Sequence, residues 1–411
     1  MNISKLFKSL GPGLLYAGAA VGVSHLVQST RAGAGFGFDL LWVLILANIL
    51  KYPFFEFAPR YANSTGKSLI HGYAQLGKWA LILYALLTVS TMFAITAAVS
   101  IVTAGLFGSI TGLNMDINML TFIIMAITML ILILGQFSVL ESLIKTIIIT
   151  LALSTLLAVF LSFDPHFSMT THFNWSIAAD IAFLIAFVGW MPAPLDVSVW
   201  HSTWTVAKQK QEKEKISLHS SLRDFNIGYI GTAFLAAGFL ALGAFVMYGN
   251  GEELSANGVT FAGQLIQMYT NSLGQWAYWI IGVAALTTML STTITVLDAY
   301  PRVMQPTMEL LWPAQKPKNK DAKYPYNIWL VVTIAGSMTL LIFYTQNMKF
   351  MVDLATTISF VTAPILAILN YKTVTADSFK NKPEKWLRIY AWIGMIFLTL
   401  FSVFYLIWKF I

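Results

Sequence analysis

Residues 11–31 read GPGLLYAGAAVGVSHLVQSTR, an apolar segment long enough to cross a bilayer, interrupted midway by Val21-Gly22-Val23-Ser24-His25. A helix that merely spans a membrane has no need of that interruption. In hydrocarbon each freed backbone group must find a partner, so a Gly-Ser-His break at mid-depth belongs where the chain lines a protected cavity or a ligand. A second break of the same kind follows at Val188-Gly189-Trp190-Met191-Pro192-Ala193-Pro194. Two broken apolar segments at corresponding positions of two halves are the sequence signature of a carrier's substrate site.

The composition supports this reading. Of 411 residues, 57% are hydrophobic and 10% charged, against about 25% charged in soluble globular chains, and the mean hydropathy is +0.70. This is an all-α polytopic membrane protein. Cysteine is absent, which excludes disulfides and thiolate metal sites and leaves oxygen, imidazole and thioether as metal ligands. The net charge of +7 implies no nucleic-acid partner, because the basic residues are dispersed among connections on one side of the bilayer. Lys5 and Lys8 before an apolar run resemble a signal peptide, but further apolar segments follow at once, so the run reads as the uncleaved first span.

Eleven spans of roughly 20 residues are expected at about 11–32, 37–60, 76–107, 115–136, 139–162, 177–206, 226–248, 274–303, 326–345, 349–372 and 386–409. Alternate connections are basic. Arg60, Lys67 and Lys78 flank the second, Lys208, Lys210, Lys213, Lys215 and Arg223 the sixth, Arg302, Lys316, Lys318, Lys320 and Lys323 the eighth, and Lys372, Lys380, Lys382, Lys385 and Arg388 the tenth; around 108–114, 163–176 and 249–273 there are none. This bias predicts a cytoplasmic N-terminus in a bacterial-type inner membrane. Residues 259–272 have helical spacing and predict a short helix at the outer interface. Pro53, Pro59, Pro301 and Pro364 predict kinks or helix ends.

Spans one to five and six to ten each open on a broken segment, and an odd number of spans inverts the second group. A 5+5 inverted repeat follows: residues 1–206 hold the first repeat plus the broken sixth span, 207–225 a cytoplasmic linker, 226–372 spans seven to ten, and 373–411 a loop and an appended eleventh span.

The candidate substrate-binding residues are those of the breaks: Gly22, Val23, Ser24, His25, Val188, Met191 and Ala193. Open carbonyls and amides there can hold an ion or a polar solute, although small residues also serve simple helix packing. His25 is a proton carrier, a hydrogen-bond donor, a ligand, or a neutral histidine bonded to a carbonyl. Asp196 follows Pro192 by four residues and can supply a counter-charge to a cation, with Trp190 as a gating ring. Lys51 and Glu56 sit where charge is costly. Lys51 is read either as a built-in cation or as half of an ion pair with Glu56 or Asp353. Ser291, Thr292, Thr293 and Asp298 in the eighth span, and Thr356 in the tenth, complete the coupling and gating candidates.

Gly11 to Leu50 resembles the opening of the NRAMP family of proton-coupled divalent metal transporters, as do Met191-Pro192 and the run Ser291-Thr292-Thr293-Ile294-Thr295. The resemblance implies a leucine-transporter-like fold with alternating access, a metal cation as substrate, a proton or sodium as coupling ion, and no resident cofactor. The family's metal motif is altered. Gly22 and His25 stand where it has Asp and Asn, Ala193 replaces the His of Met-Pro-His, and Met92 and Ile95 replace acids of the third span. A hard divalent ion wants anionic oxygen ligands, so two readings stay open: a metal carrier, with His25 and Met191 as ligands of a soft metal, or an ion-coupled carrier of a monovalent ion or small organic solute such as an amino acid. Neither is an enzyme, because the chain has no HExxH and no Gly-x-Ser-x-Gly.

Overall fold

The computed structural model describes residues 11–134, 137–163, 172–211, 217–249, 254–313, 324–344 and 347–410. The predicted connections at 164–171, 212–216, 250–253 and 314–323, with Lys5, Lys8, Lys213, Lys215, Lys316, Lys318, Lys320 and Lys323, lie outside the described residues.

The described chain forms fifteen α-helices and one π-helical turn. The first span is α1 (Pro12–Ala20), the π turn Ser24–Ser29 and α2 (Thr30–Phe36). There follow α3 (Leu41–Thr65), α4 (Leu69–Leu76), α5 (Lys78–Thr111), α6 (Ile117–Leu134) and α7 (Phe137–Leu161). The sixth span is α8 (Ala178–Trp190) and α9 (Asp196–Gln211). After it come α10 (Leu218–Met247), α11 (Gly258–Leu273), α12 (Ala277–Leu311), α13 (Tyr324–Tyr344), α14 (Met348–Thr375) and α15 (Lys385–Phe410). Eight of these are long and apolar enough to cross a membrane. The two broken spans and α7 fill the remaining positions in the expected order.

Both expected breaks are present, and each has a local cause. At the first, Gly22 N–H donates to Ala20 O at 2.9 Å instead of continuing the ladder, and Gly22 O accepts from His25 N (3.1 Å) and Leu26 N (2.9 Å). Gly22 is required by close approach: a Cβ there would lie 2.7 Å from Thr292 Cγ2 on α12. At the second, Pro192 and Pro194 each lack a donor and force the preceding residue out of helical geometry, and Met191 is extended.

Glycines let the broken spans sink into the bundle. A Cβ on Gly13 would meet Asp224 O of α10 at 2.2 Å, on Gly33 Leu240 O of α10 at 1.9 Å, and on Gly189 Thr356 O of α14 at 2.2 Å. The first span therefore lies backbone to backbone on α10, and α8 on α14. Large apolar side chains exposed on α6, α13 and α15, among them Phe122, Phe343 and Trp392, mark an outer wall suited to lipid.

Two features go beyond what the sequence led us to expect. The stretch between spans two and three holds a helix, α4, whose Leu69, Ile70 and Tyr73 are buried. Pro301 does not end the eighth span. The helix runs through Pro301 and Pro306 to Leu311, because a proline removes a single ladder bond and dense packing on both sides holds the rest. Pro53, Pro59 and Pro364 likewise sit inside continuous helices. The helix expected at 259–272 forms as α11, and its N-cap is Asn257, whose side chain accepts from Val259 N and Thr260 N.

Candidate functional site

The second break meets the π turn that follows the first inside the bundle. Ser29 Oγ on the π turn lies 3.3 Å from Ser24 O and 3.9 Å from Met191 Sδ, either of which can take its proton, and both Ser29 and Met191 are wholly buried. From α12, Thr292 Oγ1 lies 3.2 Å from Gly18 O, just before the first break, and 3.0 Å from Thr288 O of its own helix, and can donate to either. Its neighbours do otherwise. Thr293 turns to Thr103 of α5, with Oγ1 atoms 2.7 Å apart, and Ser291 is buried.

His25 is bonded on both ring nitrogens. Nδ1 pairs with Ser24 Oγ at 2.8 Å and Nε2 with Thr232 O of α10 at 2.9 Å. The tautomer that donates from Nε2 to the carbonyl leaves Nδ1 to accept from the serine. Ser24 Oγ also lies 2.5 Å from Ala20 O, which competes with Nδ1 for the single serine proton. Val23, Val188 and Ala193 are buried apolar residues beside these groups.

Across the second break, Asp196 opens α9 and is 2% exposed. Its Oδ1 accepts from Thr91 Oγ1 of α5 at 3.3 Å, and its Oδ2 has no hydrogen-bond partner among the described residues. A carboxylate at the start of a helix is favoured by the helix dipole, and here it faces the third span, which carries no acid of its own. Trp190 is anchored by Nε1 donating to Ser359 Oγ of α14 at 2.9 Å. Thr356 is satisfied within α14, donating to Val352 O and Asp353 O.

The ion pairing expected of Lys51 is corrected. Glu56 pairs with Arg60 at 2.6 Å one turn along α3, and Asp353 pairs with Arg31 at 2.7 Å. Lys51 donates instead to two carbonyls of α8, Val188 O at 2.6 Å and Gly189 O at 2.8 Å. Asp298 is held by Arg302 (2.7 Å) and by Tyr326 of α13 (2.8 Å), away from the breaks.

A residue missed in the sequence is Arg31. It binds Asp353 of α14 with both terminal nitrogens, donates to Gln28 at 2.8 Å, and lies 5.0 Å over the ring of Phe183 of α8. It thus ties spans one, six and ten at one end of the bundle, beside a cavity of about 550 Å³ lined also by Asp180, Lys349 and Thr357. Its signal was available as a charge closing an apolar segment. Thr91 and Ser29 carried none, because a hydroxyl in an apolar helix usually bonds its own carbonyls.

Among the described residues no group of three His, Cys, Asp or Glu stands ready to hold a metal ion. A cation at the breaks would rely on the Met191 thioether, backbone and hydroxyl oxygens, and at most one carboxylate.

The fold and breaks together define a multi-pass membrane protein built on the carrier plan of two interrupted helices facing each other. Residues 13–409 match the family described as natural resistance-associated macrophage protein-like, and the chain belongs to that family. It is 34% identical over 97% of its length to an uncharacterised protein of Pasteurella multocida, covering 92% of that protein. It is 25% identical over 99% of its length to a divalent metal cation transporter of Staphylococcus saprophyticus, covering 93% of it. The solved manganese transporter of Eremococcus coleocola, in complex with an aromatic bis-isothiourea compound, superposes with a TM-score of 0.72 over 96% of this chain and 85% of that one, at 15% identity. That likeness establishes the fold.

Proposed function

We propose that this protein is a secondary-active carrier of a metal cation, working by alternating access, with the cation held as substrate between the first and sixth spans. The reading rests on one observation above others: Met191, the soft donor of the second break, meets Ser29, about one turn beyond the first break. Family membership and the relative named as a divalent metal cation transporter support it. The donor set of one thioether, neutral oxygens and the Asp196 carboxylate favours a softer ion over a hard one.

In this reading the Arg31–Asp353 pair closes one access route and its cavity is the vestibule outside the closure. The coupling ion is a proton or sodium, with Asp196 as the group able to exchange it. The protein works in a bacterial-type inner membrane with its N-terminus in the cytoplasm.

The test is uptake into proteoliposomes, comparing Cd²⁺ with Mn²⁺ under imposed proton and sodium gradients. The expected outcome is gradient-driven uptake that favours Cd²⁺, with Met191→Ala lowering Cd²⁺ uptake roughly tenfold, the scale of one lost ligand interaction of about 1.4 kcal/mol. Silence with both metals, alongside gradient-driven uptake of an amino acid or a monovalent ion, would overturn it.

A further inference from the structure

Among the described residues, three buried or half-buried carboxylates of the spanning helices are held by arginines. Glu56 is held by Arg60, Asp298 by Arg302 and Asp353 by Arg31. Lys51 has no carboxylate partner among the described residues, although its side chain is wholly buried. An ammonium in that position is costly unless dipoles replace its water.

The dipoles come from the end of α8. In a continued helix Val188 O would accept from the N–H of residue 192 and Gly189 O from that of residue 193. Residue 192 is proline, which has no N–H, and residue 193 lies past the end of α8, within the break. Val188 O keeps only a long bond, 3.4 Å, from Met191 N–H, and the two adjacent carbonyls lie at the negative end of a half-helix. The Lys51 ammonium sits 2.6 and 2.8 Å from them. Consecutive carbonyl oxygens at the unwound end of a transmembrane half-helix are the arrangement that coordinates small monocations in membrane carriers.

We propose that Lys51 Nζ is a tethered cation filling a monocation site made by the Val188 and Gly189 carbonyls, so that the chain itself supplies the ammonium-type ligand of that site. The stem crosses from α3 to α8 and delivers a fixed positive charge beside the second break. Val188 and Gly189 carbonyls are then unavailable to the transported substrate, and no mobile ion is required at this end of α8.

The experiment uses the purified full chain in detergent. Lys51→Ala removes Cγ, Cδ, Cε and Nζ, the heavy atoms of propylammonium, and so leaves a space of that shape. Melting temperature is read in choline chloride, sodium chloride, potassium chloride, propylammonium chloride, and choline chloride with 1-propanol at equal concentration. The wild type should melt alike in all of them. Lys51→Ala should melt several degrees lower in choline and regain at least half of that loss in propylammonium, but not in propanol. Recovery in sodium or potassium as well would extend the site to alkali cations.

An alanine variant as stable as the wild type overturns the proposal, as does equal recovery by propanol or a loss that no cation reverses. If the alanine variant cannot be purified, Lys51→Met keeps an unbranched packed stem and removes the charged Nζ with its two hydrogen bonds. It should melt below the wild type in every salt, and a methionine variant of unchanged stability overturns the proposal. The readout involves no transport, so its failure is distinct from failure of the metal-carrier reading.

Discussion

At the scale of single residues, the molecule is tuned by what is missing as much as by what is present. Gly22 stands where a carboxylate would be expected of this family, and the structure gives it a steric role, because its Cα faces Thr292, whose Cγ2 and Oγ1 would lie 2.7 and 2.8 Å from an added Cβ. Gly22→Ala should therefore destabilise the protein by about 1–3 kcal/mol, the usual cost of overpacking. Thr292→Ala in the same chain removes both clashing atoms and leaves Thr292 Cβ at 3.2 Å as the nearest contact, so it should recover part of the loss. A double-mutant cycle of melting temperatures checks this, and strictly additive effects would mean that the two residues do not share the contact. An aspartate at position 22 would meet the same Thr292 side chain, which would have to shift to admit it. His25 makes the complementary point. Its imidazole was legible as a candidate for function, but the sequence held no sign that Thr232, over 200 residues away, would take its Nε2.

At the scale of elements, the broken first span is held at its start by a neighbour. Asp224 of α10 accepts from Gly11 N at 3.2 Å and Gly13 N at 2.8 Å, filling the place of an N-cap that α1 lacks in its own sequence. The carboxylate satisfies two orphan donors and sits at the positive end of the helix dipole. Asp224→Ala should cost about 1–2 kcal/mol. The loss should be local, with amide exchange of Leu14 to Ala17 accelerated while the middle of α5 exchanges as before; uniform acceleration would show that the contact holds the whole bundle. The element pattern itself was largely readable. Apolar runs and alternate basic connections located the spans, because a bilayer leaves few alternatives to a helix of about 20 residues. α4 escaped notice because eight residues are too few for periodicity to stand out, and its buried face exists only once α5 and α14 are in place.

At the scale of the whole molecule, Arg31 and Asp353 join the first span to the tenth over 322 positions of sequence. Under the alternating-access reading, breaking that pair should open the route from the vestibule to the breaks. The absence of cysteine makes the native chain a clean background for testing it. Ser29→Cys, at a wholly buried position, should react slowly with a membrane-impermeant thiol reagent, and Asp353→Ala should speed that reaction about tenfold, equivalent to some 1.4 kcal/mol of closure. An unchanged rate would assign the pair to static packing. Asp353 is partly exposed, with 36% of its side chain accessible, so high salt should reproduce a fraction of the effect.

The sequence alone determined that the chain is a helical membrane protein, where its spans lie, and that two of them are broken. Those properties follow from local chemistry: apolar length, prolines without donors, and glycines where a helix would otherwise continue. It also marked Lys51 as a charge out of place. Only the tertiary structure decided the partners. Lys51 bonds to carbonyls and not to Glu56, Arg31 holds Asp353, Asp196 turns towards a third span that carries no acid, and Thr292, not Thr293, reaches the first break. Each of these depends on which faces of distant helices are pressed together, and a hydrogen bond between them is set by that packing, which no periodicity along one segment records.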